Sequence, residues 1–256
     1  MILCIDIGNT NVVLGCYDKG TLVMASRVST DRSRMSDQYA VELRDILALY
    51  GIEPKRITGA MVSSVIPSLT EPMADAVRLA VDVEPKVLSR ALYEKLLDIR
   101  LDNPLEIGAD LVAAAVGAKQ KYPLPCIIID MGTATKITAL SADGAFLGGA
   151  ILPGLRISTD ALVQRTSTLT DISLDAPAKV LSTNTADCMK SGAVYGTAAM
   201  LDGMCARMAR ELGAAAPTVV ATGGLAPRVT PYCETSVISD PMLLLDGLKY
   251  IYEANA

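Results

Sequence analysis

The clearest pattern in the chain is an apolar run that breaks at an acidic, glycine-containing loop and then resumes. Residues 2–5 are apolar, the loop 6–10 reads Asp-Ile-Gly-Asn-Thr, and residues 12–17 form a second, partly β-branched run. The turn-forming residues 18–20, Asp-Lys-Gly, close that run. Two apolar runs joined by a short loop predict a strand-loop-strand hairpin.

The same pattern returns 124 residues later, where the apolar residues 126–129 lead into a second Asp-x-Gly loop. This offset pairs Asp6 with Asp130, Gly8 with Gly132 and the turn glycines Gly20 with Gly144. Because the offset is close to half of the 256 residues, we predict two similar α/β domains at 1–117 and 118–256 that arose by internal duplication. No low-complexity linker separates them, so we expect them to pack around an active-site cleft.

Helical periodicity and short apolar runs predict the remaining elements. Helices are expected at 36–50, 71–81, 111–120, 157–164, 186–212 and 243–253, and strands at 59–65 and 218–221. Pro67 is expected to end the first of these strands, and the helix at 111–120 is expected to join the halves. The second strand leads into a Thr-Gly-Gly loop at 222–224.

Composition and charge narrow the class of protein. The chain is 51% hydrophobic and 20% charged, with a formal net charge of -5 and no block of basic residues, so a nucleic-acid partner is not expected. No basic leader and no apolar stretch approaching about 18 residues is present, which predicts a cytoplasmic protein without a membrane partner. The six cysteines contain no Cys-x-x-Cys pair and are interpreted as reduced thiols.

The chain contains no histidine, which excludes imidazole bases, Ser-His-Asp triads and histidine-bound metals. Acid-base chemistry must therefore use carboxylate, thiolate, lysine or tyrosine side chains. A carboxylate at a strand end, followed by glycine and a small hydroxyl residue, suits a nucleotide phosphate site with Mg²⁺. A single loop of this kind is as well explained by an ordinary hairpin, whereas two such loops and the Thr-Gly-Gly loop favour ATP binding.

These paired loops resemble those of the actin, sugar kinase and Hsp70-type ATPase superfamily, and seven motifs in order resemble type III pantothenate kinase. The motifs are DIGNT at 6–10, SSVIP at 63–67, NP at 103–104 with GAD at 108–110, DMGTA at 130–134, GGAILPG at 148–154, NT at 184–185 before SG at 191–192, and DPMLLLDGL at 240–248. The chain has no Walker A lysine signature, and it cannot form the His-Arg-Asp loop of protein kinases.

The resemblance implies ATP-dependent phosphorylation of pantothenate, the first step towards coenzyme A, by a homodimer. It implies that ATP phosphates bind the segment Asp6, Ile7, Gly8, Asn9, Thr10, Asn11, Val12 and Val13, and that Thr133 contacts ATP. It places a monovalent cation, K⁺ or NH₄⁺, at Asp130, while Asp6 is a candidate for holding Mg²⁺ through water. The general base would be Asp110, and the acceptor site would comprise Leu101, Gly108, Ala109, Asp110, Leu111 and Thr185.

Two of these roles have plain structural alternatives. Asp110 could be only a helix-end carboxylate that complements the helix dipole, and Thr185 could be a helix N-cap. Asp240 and Asp246 are interpreted as helix-start and structural residues.

Two positions depart from the family pattern, since Leu111 stands where arginine is usual and Leu101 where tyrosine is usual. Leucine cannot supply the lost hydrogen-bond donors, so we expect these two changes to weaken pantothenate binding more than ATP binding. Arg100 should point away and cannot substitute. The alternatives are therefore a paralogue with another acceptor, or a regulatory protein that binds ATP without turnover.

Overall fold

The computed structural model describes all 256 residues, which form two compact α/β units. The first unit comprises Met1–Asp98, Asp102–Gln120 and Leu243–Ala256, and the second comprises Ile99–Leu101 and Lys121–Met242. The C-terminal segment thus belongs to the unit formed by the N-terminal residues. The boundary after residue 117, which divides the chain into sequence halves, stays a prediction.

Ten strands and eight α-helices make up the two units. The strands are β1 (Ile2–Ile7), β2 (Asn11–Asp18), β3 (Thr21–Ser29), β4 (Gly59–Ser64), β5 (Lys86–Val87), β6 (Cys126–Met131), β7 (Ala134–Leu140), β8 (Phe146–Pro153), β9 (Thr218–Thr222) and β10 (Ile238–Ser239). The helices are α1 (Ser36–Leu49), α2 (Pro67–Val81), α3 (Arg90–Tyr93), α4 (Ala109–Lys121), α5 (Leu155–Gln164), α6 (Thr185–Glu211), α7 (Ala226–Val229) and α8 (Leu243–Ala254).

Each unit contains one five-stranded sheet, and the two sheets have the same topology. The strand order is β3-β2-β1-β4-β5 in the first unit and β8-β7-β6-β9-β10 in the second. In both, the first three strands pair antiparallel and the last two join in parallel. The internal duplication predicted from the sequence is therefore confirmed at the level of the sheets.

The turn glycines that helped to reveal the repeat have the same backbone conformation. Gly20 has φ of 83° and Gly144 has φ of 80°. Glycine adopts this left-handed region without the steric cost that a side chain would meet. The tight turns that follow β2 and β7 therefore explain why the two residues recur at the same offset.

The first unit is closed by a tight crossing of α4 and α8. A Cβ atom added to Gly247 of α8 would lie 1.8 Å from the carbonyl oxygen of Ala113 in α4. A Cβ atom added to Gly117 of α4 would lie 2.3 Å from the carbonyl oxygen of Leu243 in α8. Backbone meets backbone at this crossing, so α8 fixes the position of α4 and of the residues at its N-terminus.

Several sequence predictions differ from the structure at element ends. The strand β4 already ends at Ser64, and Pro67 occupies the first turn of α2, where its missing N–H is not needed. The strands β3 and β8 were not predicted, because neither sequence shows a strict alternation of apolar and polar residues. No helix in the structure has both the length and the apolar character that a membrane span requires.

Candidate phosphate and acceptor sites

The first predicted phosphate loop lies between β1 and β2. Asp6 is 8% exposed near the end of β1, and Ile7 pairs with Val12 across the hairpin. Asn9 and Thr10 at the tip are exposed, whereas Gly8 and Asn11 are half-buried. The loop therefore presents polar side chains and backbone on a rigid, buried base, as a phosphate-binding loop requires.

Hydrogen bonds inside the first unit hold this loop in place, among them one from the Thr30 N–H to the Thr10 carbonyl at 2.9 Å. The Gly8 N–H donates to the Asn11 carbonyl at 3.0 Å, and the Thr30 hydroxyl donates to the Gly8 carbonyl at 2.7 Å. The Arg32 guanidinium donates to Asn9 Oδ1 at 2.9 Å. Arg32 is a candidate phosphate contact that the sequence analysis missed, because no motif links it to the loop.

Asp6 lies directly opposite Ser63 in the parallel pairing of β1 and β4. The Ser63 side chain is fully buried, and its hydroxyl has no hydrogen-bond partner in the structure. A buried polar group normally has a partner, and oxygen ligands with bound water suit Mg²⁺. The carboxylate and hydroxyl therefore fit a hydrated Mg²⁺, with Asp6 as the candidate holder.

The second loop, between β6 and β7, carries Asp130 and Thr133. The Gly132 N–H donates to the Ala134 carbonyl at 3.1 Å, and Thr133 is exposed at the tip. The Lys136 ammonium lies 2.8 Å from Asp130 Oδ2. Asp130 is therefore already paired with a cation, and a further monovalent cation on the same oxygen would have to displace Lys136.

Two glycines allow other loops of the second unit to pack on this hairpin. A Cβ atom on Gly154, after β8, would lie 2.1 Å from the Thr133 carbonyl oxygen. A Cβ atom on Gly223, after β9, would lie 2.5 to 2.7 Å from the Met131 backbone. The Leu225 N–H also donates to the Met131 carbonyl at 3.1 Å. The structure therefore brings the Thr-Gly-Gly loop and the second phosphate loop together.

Asp110 lies in the first turn of α4, in the first unit. Its Oδ1 accepts a hydrogen bond from the Leu111 N–H at 2.8 Å, so the carboxylate is oriented by the start of the helix. Ala109 begins the helix, and a Cβ atom on Gly108 would lie 2.6 Å from the same oxygen. Asp110 and Leu111 are half-buried rather than buried.

Leu101 belongs to the second unit, where its side chain packs near Gly148. The neighbouring Arg100 guanidinium pairs with Asp143, and the Arg100 N–H donates to the Phe146 carbonyl. Hydrogen bonds from Ser141 and Arg100 lower the pKa of Asp143 to about 2. Arg100 is thus held by Asp143, in agreement with the expectation that it does not replace the missing arginine.

Thr185 is the first residue of α6, and the N-cap is Asn184. The Asn184 side chain accepts from the Asp187 N–H at 2.9 Å, which satisfies one of the free N–H groups of the first turn. The interpretation of Thr185 as the cap was therefore wrong by one residue. Its predicted acceptor role remains a prediction.

The two C-terminal aspartates have partners that explain them structurally. Asp240 Oδ2 accepts from the Lys121 ammonium at 2.6 Å and from the Tyr122 hydroxyl at 2.7 Å. Asp246 Oδ1 accepts from the Tyr17 hydroxyl at 2.7 Å. No group of three or more acidic or cysteine side chains is arranged to hold a metal by itself.

Two topologically identical five-stranded sheets, each with an acidic hairpin loop, define a protein of the actin-like ATPase and sugar kinase fold. Among solved structures, component A of (R)-2-hydroxyglutaryl-CoA dehydratase from Acidaminococcus fermentans superposes with a TM-score of 0.59 at 16% identity, covering 100% of this chain and 99% of that one. A Campylobacter jejuni protein described as a candidate Baf family transcriptional activator gives 0.61 at 20% identity, covering 99% and 98%. At these identities the likeness concerns the fold alone.

The sequence comparisons are more specific. The family described as type III pantothenate kinase matches residues 2–207. The type III pantothenate kinase of Moorella thermoacetica is 39% identical over 255 residues, covering 100% of both chains, and that of Roseiflexus sp. is 40% identical over the same length. The chain belongs to the type III pantothenate kinase family.

Proposed function

We propose that this protein transfers the γ-phosphoryl group of ATP to the hydroxyl group of pantothenate. The observation that carries the proposal is the full-length similarity to curated type III pantothenate kinases at about 40% identity. The two acidic hairpin loops support it, because each presents backbone and hydroxyl groups suited to phosphate oxygens. Neither a regulatory role nor a different acceptor is favoured by these comparisons.

In this mechanism the first loop, 6–13, and Thr133 bind the phosphates. Asp6 and Ser63 would hold a hydrated Mg²⁺, which neutralises charge on the phosphates when bound. Arg32 could donate to a phosphate oxygen from its position beside Asn9. A positive charge beside Asp130 would further favour the anionic nucleotide, and whether K⁺, NH₄⁺ or a side chain supplies it depends on Lys136.

Asp110 is the proposed general base. A primary alcohol loses its proton as it attacks phosphorus in line, and a carboxylate is the remaining acceptor in a chain without histidine. The Leu111 N–H donates to Asp110 Oδ1 and so orients the carboxylate. Leu101, Gly108, Ala109, Leu111 and Thr185 are the proposed surroundings of pantothenate.

The experiment measures ATP consumption and the phosphorylated product with and without pantothenate. Asp110→Asn removes the basicity but keeps the size, so kcat should fall by about 10² to 10⁴ while ATP affinity stays near that of the wild type. Asp37→Asn is the matched control, because Asp37 is also the second residue of its helix in the first unit. An Asp110→Asn enzyme that keeps more than about a tenth of wild-type turnover would remove Asp110 from the mechanism.

The remaining proposals concern assembly and location. We expect a homodimer, which sedimentation velocity tests directly, and a cytoplasmic location. The homodimer follows from the resemblance to the family, and the location from the lack of a basic leader and of a long apolar stretch.

A further inference from the structure

Lys136 and Asp130 form an ion pair across the second phosphate hairpin. The two residues are directly opposite each other in the antiparallel pairing of β6 and β7. The Lys136 ammonium lies 2.8 Å from Asp130 Oδ2, and the side chains are only 16% and 18% exposed. The strand register, rather than a flexible loop, holds the lysine against the carboxylate.

This ion pair affects whether a monovalent cation can bind at Asp130. The lysine head group is an alkylammonium, which is chemically NH₄⁺ with one hydrogen replaced by carbon. A second monovalent cation at the same oxygen would meet a like charge in a poorly solvated position, where repulsion is strong. The residues present therefore do not fit K⁺ or NH₄⁺ unless Lys136 moves away.

We propose that Lys136 takes the place of the monovalent cation, so that nucleotide binding by this enzyme does not require K⁺ or NH₄⁺. The inference rests on the proposed role of the Asp130 loop in binding ATP phosphates. An unneutralised Asp130 would repel the nucleotide, and the lysine removes that repulsion permanently. The effect is independent of which alcohol is phosphorylated.

The test measures the affinity for Mg²⁺ with a non-hydrolysable ATP analogue by calorimetry. Buffers contain K⁺, NH₄⁺, Na⁺ or tetramethylammonium at one ionic strength, so that screening is constant. The wild-type dissociation constant should vary by no more than about twofold among the four cations. Lys136→Met should weaken binding by about tenfold or more in tetramethylammonium, and K⁺ or NH₄⁺ should restore it.

Three further variants control for charge and packing. Lys136→Arg keeps a cation and should remain independent of the buffer cation. Lys190→Met removes a lysine of the same unit that pairs with Asp175 at 2.9 Å, and it should show no cation dependence. The double variant Asp130→Asn with Lys136→Met removes both charges, so its affinity should not depend on the cation. That variant also tests the idea if Lys136→Met alone does not fold.

Wild-type affinity that falls more than about fivefold without K⁺ would overturn the inference. A Lys136→Met variant that binds the nucleotide normally in tetramethylammonium would also overturn it, and so would one whose affinity is weakened equally in every cation. Either result would show that K⁺ or NH₄⁺ cannot replace the Lys136 ammonium. Cation dependence in the double variant would also refute it. Failure of the proposed function is distinguishable, because it would appear as absent pantothenate phosphorylation with nucleotide affinity unaffected.

Discussion

Replacing Gly247 by alanine tests whether the α4–α8 crossing positions the proposed base. The added Cβ atom would lie 1.8 Å from the Ala113 carbonyl oxygen and 2.7 Å from its carbon. Both contacts are with backbone, which cannot rotate away as a side chain would. Ordinary contact begins near 3.4 Å, so the two helices must separate locally by more than an ångström.

The expected cost follows from two opposing effects. Overpacking a tight contact costs about 1 to 3 kcal/mol, and a backbone clash belongs at the upper end of that range. Alanine gains about 1 kcal/mol over glycine in a helix. We therefore expect Gly247→Ala to lower the free energy of unfolding by about 2 kcal/mol, which corresponds to roughly 4 to 8 °C in Tm for a chain of this size.

Gly196→Ala is the matched control, because Gly196 lies in the middle of α6 and an added Cβ atom meets nothing within 4 Å. That change should raise stability by about 0.5 to 1 kcal/mol. Thermal unfolding is best followed by far-UV circular dichroism, since the chain has no tryptophan. The two glycine-to-alanine changes should thus shift Tm in opposite directions.

The same displacement should reach the site, because Asp110 lies in the first turn of α4. A shift of about 1 Å at a catalytic group can cost about 100-fold in rate, so kcat should fall in Gly247→Ala and remain unchanged in Gly196→Ala. If Gly247→Ala were as stable and as active as Gly196→Ala, the crossing would not hold α4 in place.

Four further experiments test other parts of the structure. Leu111→Arg should lower the KM for pantothenate by roughly 10- to 150-fold, the value of one hydrogen bond to a charged group, and steady-state kinetics would show no change if the pocket suits another acceptor. Gly223→Ala should weaken ATP binding measured by calorimetry, because the new Cβ atom meets the second phosphate loop, whereas Gly213→Ala shares the positive φ but meets nothing within 4 Å. Burial raises the pKa of the Cys126 thiol from 9.0 to about 12, so stability to urea should hold below pH 9 and fall between pH 9 and 12 as the unfolded thiol ionises. At pH 8, iodoacetamide should label the exposed Cys188 before Cys126, as mass spectrometry of peptides would show.

The sequence alone predicted the repeat and most helices, because the periodic apolar positions are local signals. It did not show that the Thr222–Gly224 loop packs on the second hairpin, which the contact of Gly223 with the Met131 backbone reveals. The third strand of each sheet was missed for a physical reason. In β8, burial does not track hydrophobicity, since Ile151 is 74% exposed.

Contacts between residues that are far apart in the chain could not be predicted from the sequence either. Nothing local shows that Arg32 donates to Asn9, or that Ser63 lies opposite Asp6, because strand pairing brings these residues together. The tight packing of α8 on α4 could not be predicted from the sequence either. Gly247 and Gly117 are ordinary helix residues in sequence, and only the crossing of their helices requires that both lack a side chain.

The two hairpins show how one duplicated loop can acquire two different electrostatic roles. Four residues, Gly8 to Asn11, separate the last cross-strand pair in the first hairpin, whereas three residues, Gly132 to Ala134, separate it in the second. This difference of one residue shifts the register, so Val13 faces Asp6 but Lys136 faces Asp130. Across the parallel strands, Asp6 faces a serine and Asp130 a threonine, which are similar residues. The surroundings of the two aspartates therefore differ mainly in the residue opposite them on the hairpin strand. Asp6 is the proposed holder of a hydrated divalent cation, whereas Asp130 is paired with a lysine. The carboxylates are therefore equivalent by descent, and a one-residue change in loop length is enough to separate their proposed chemistry.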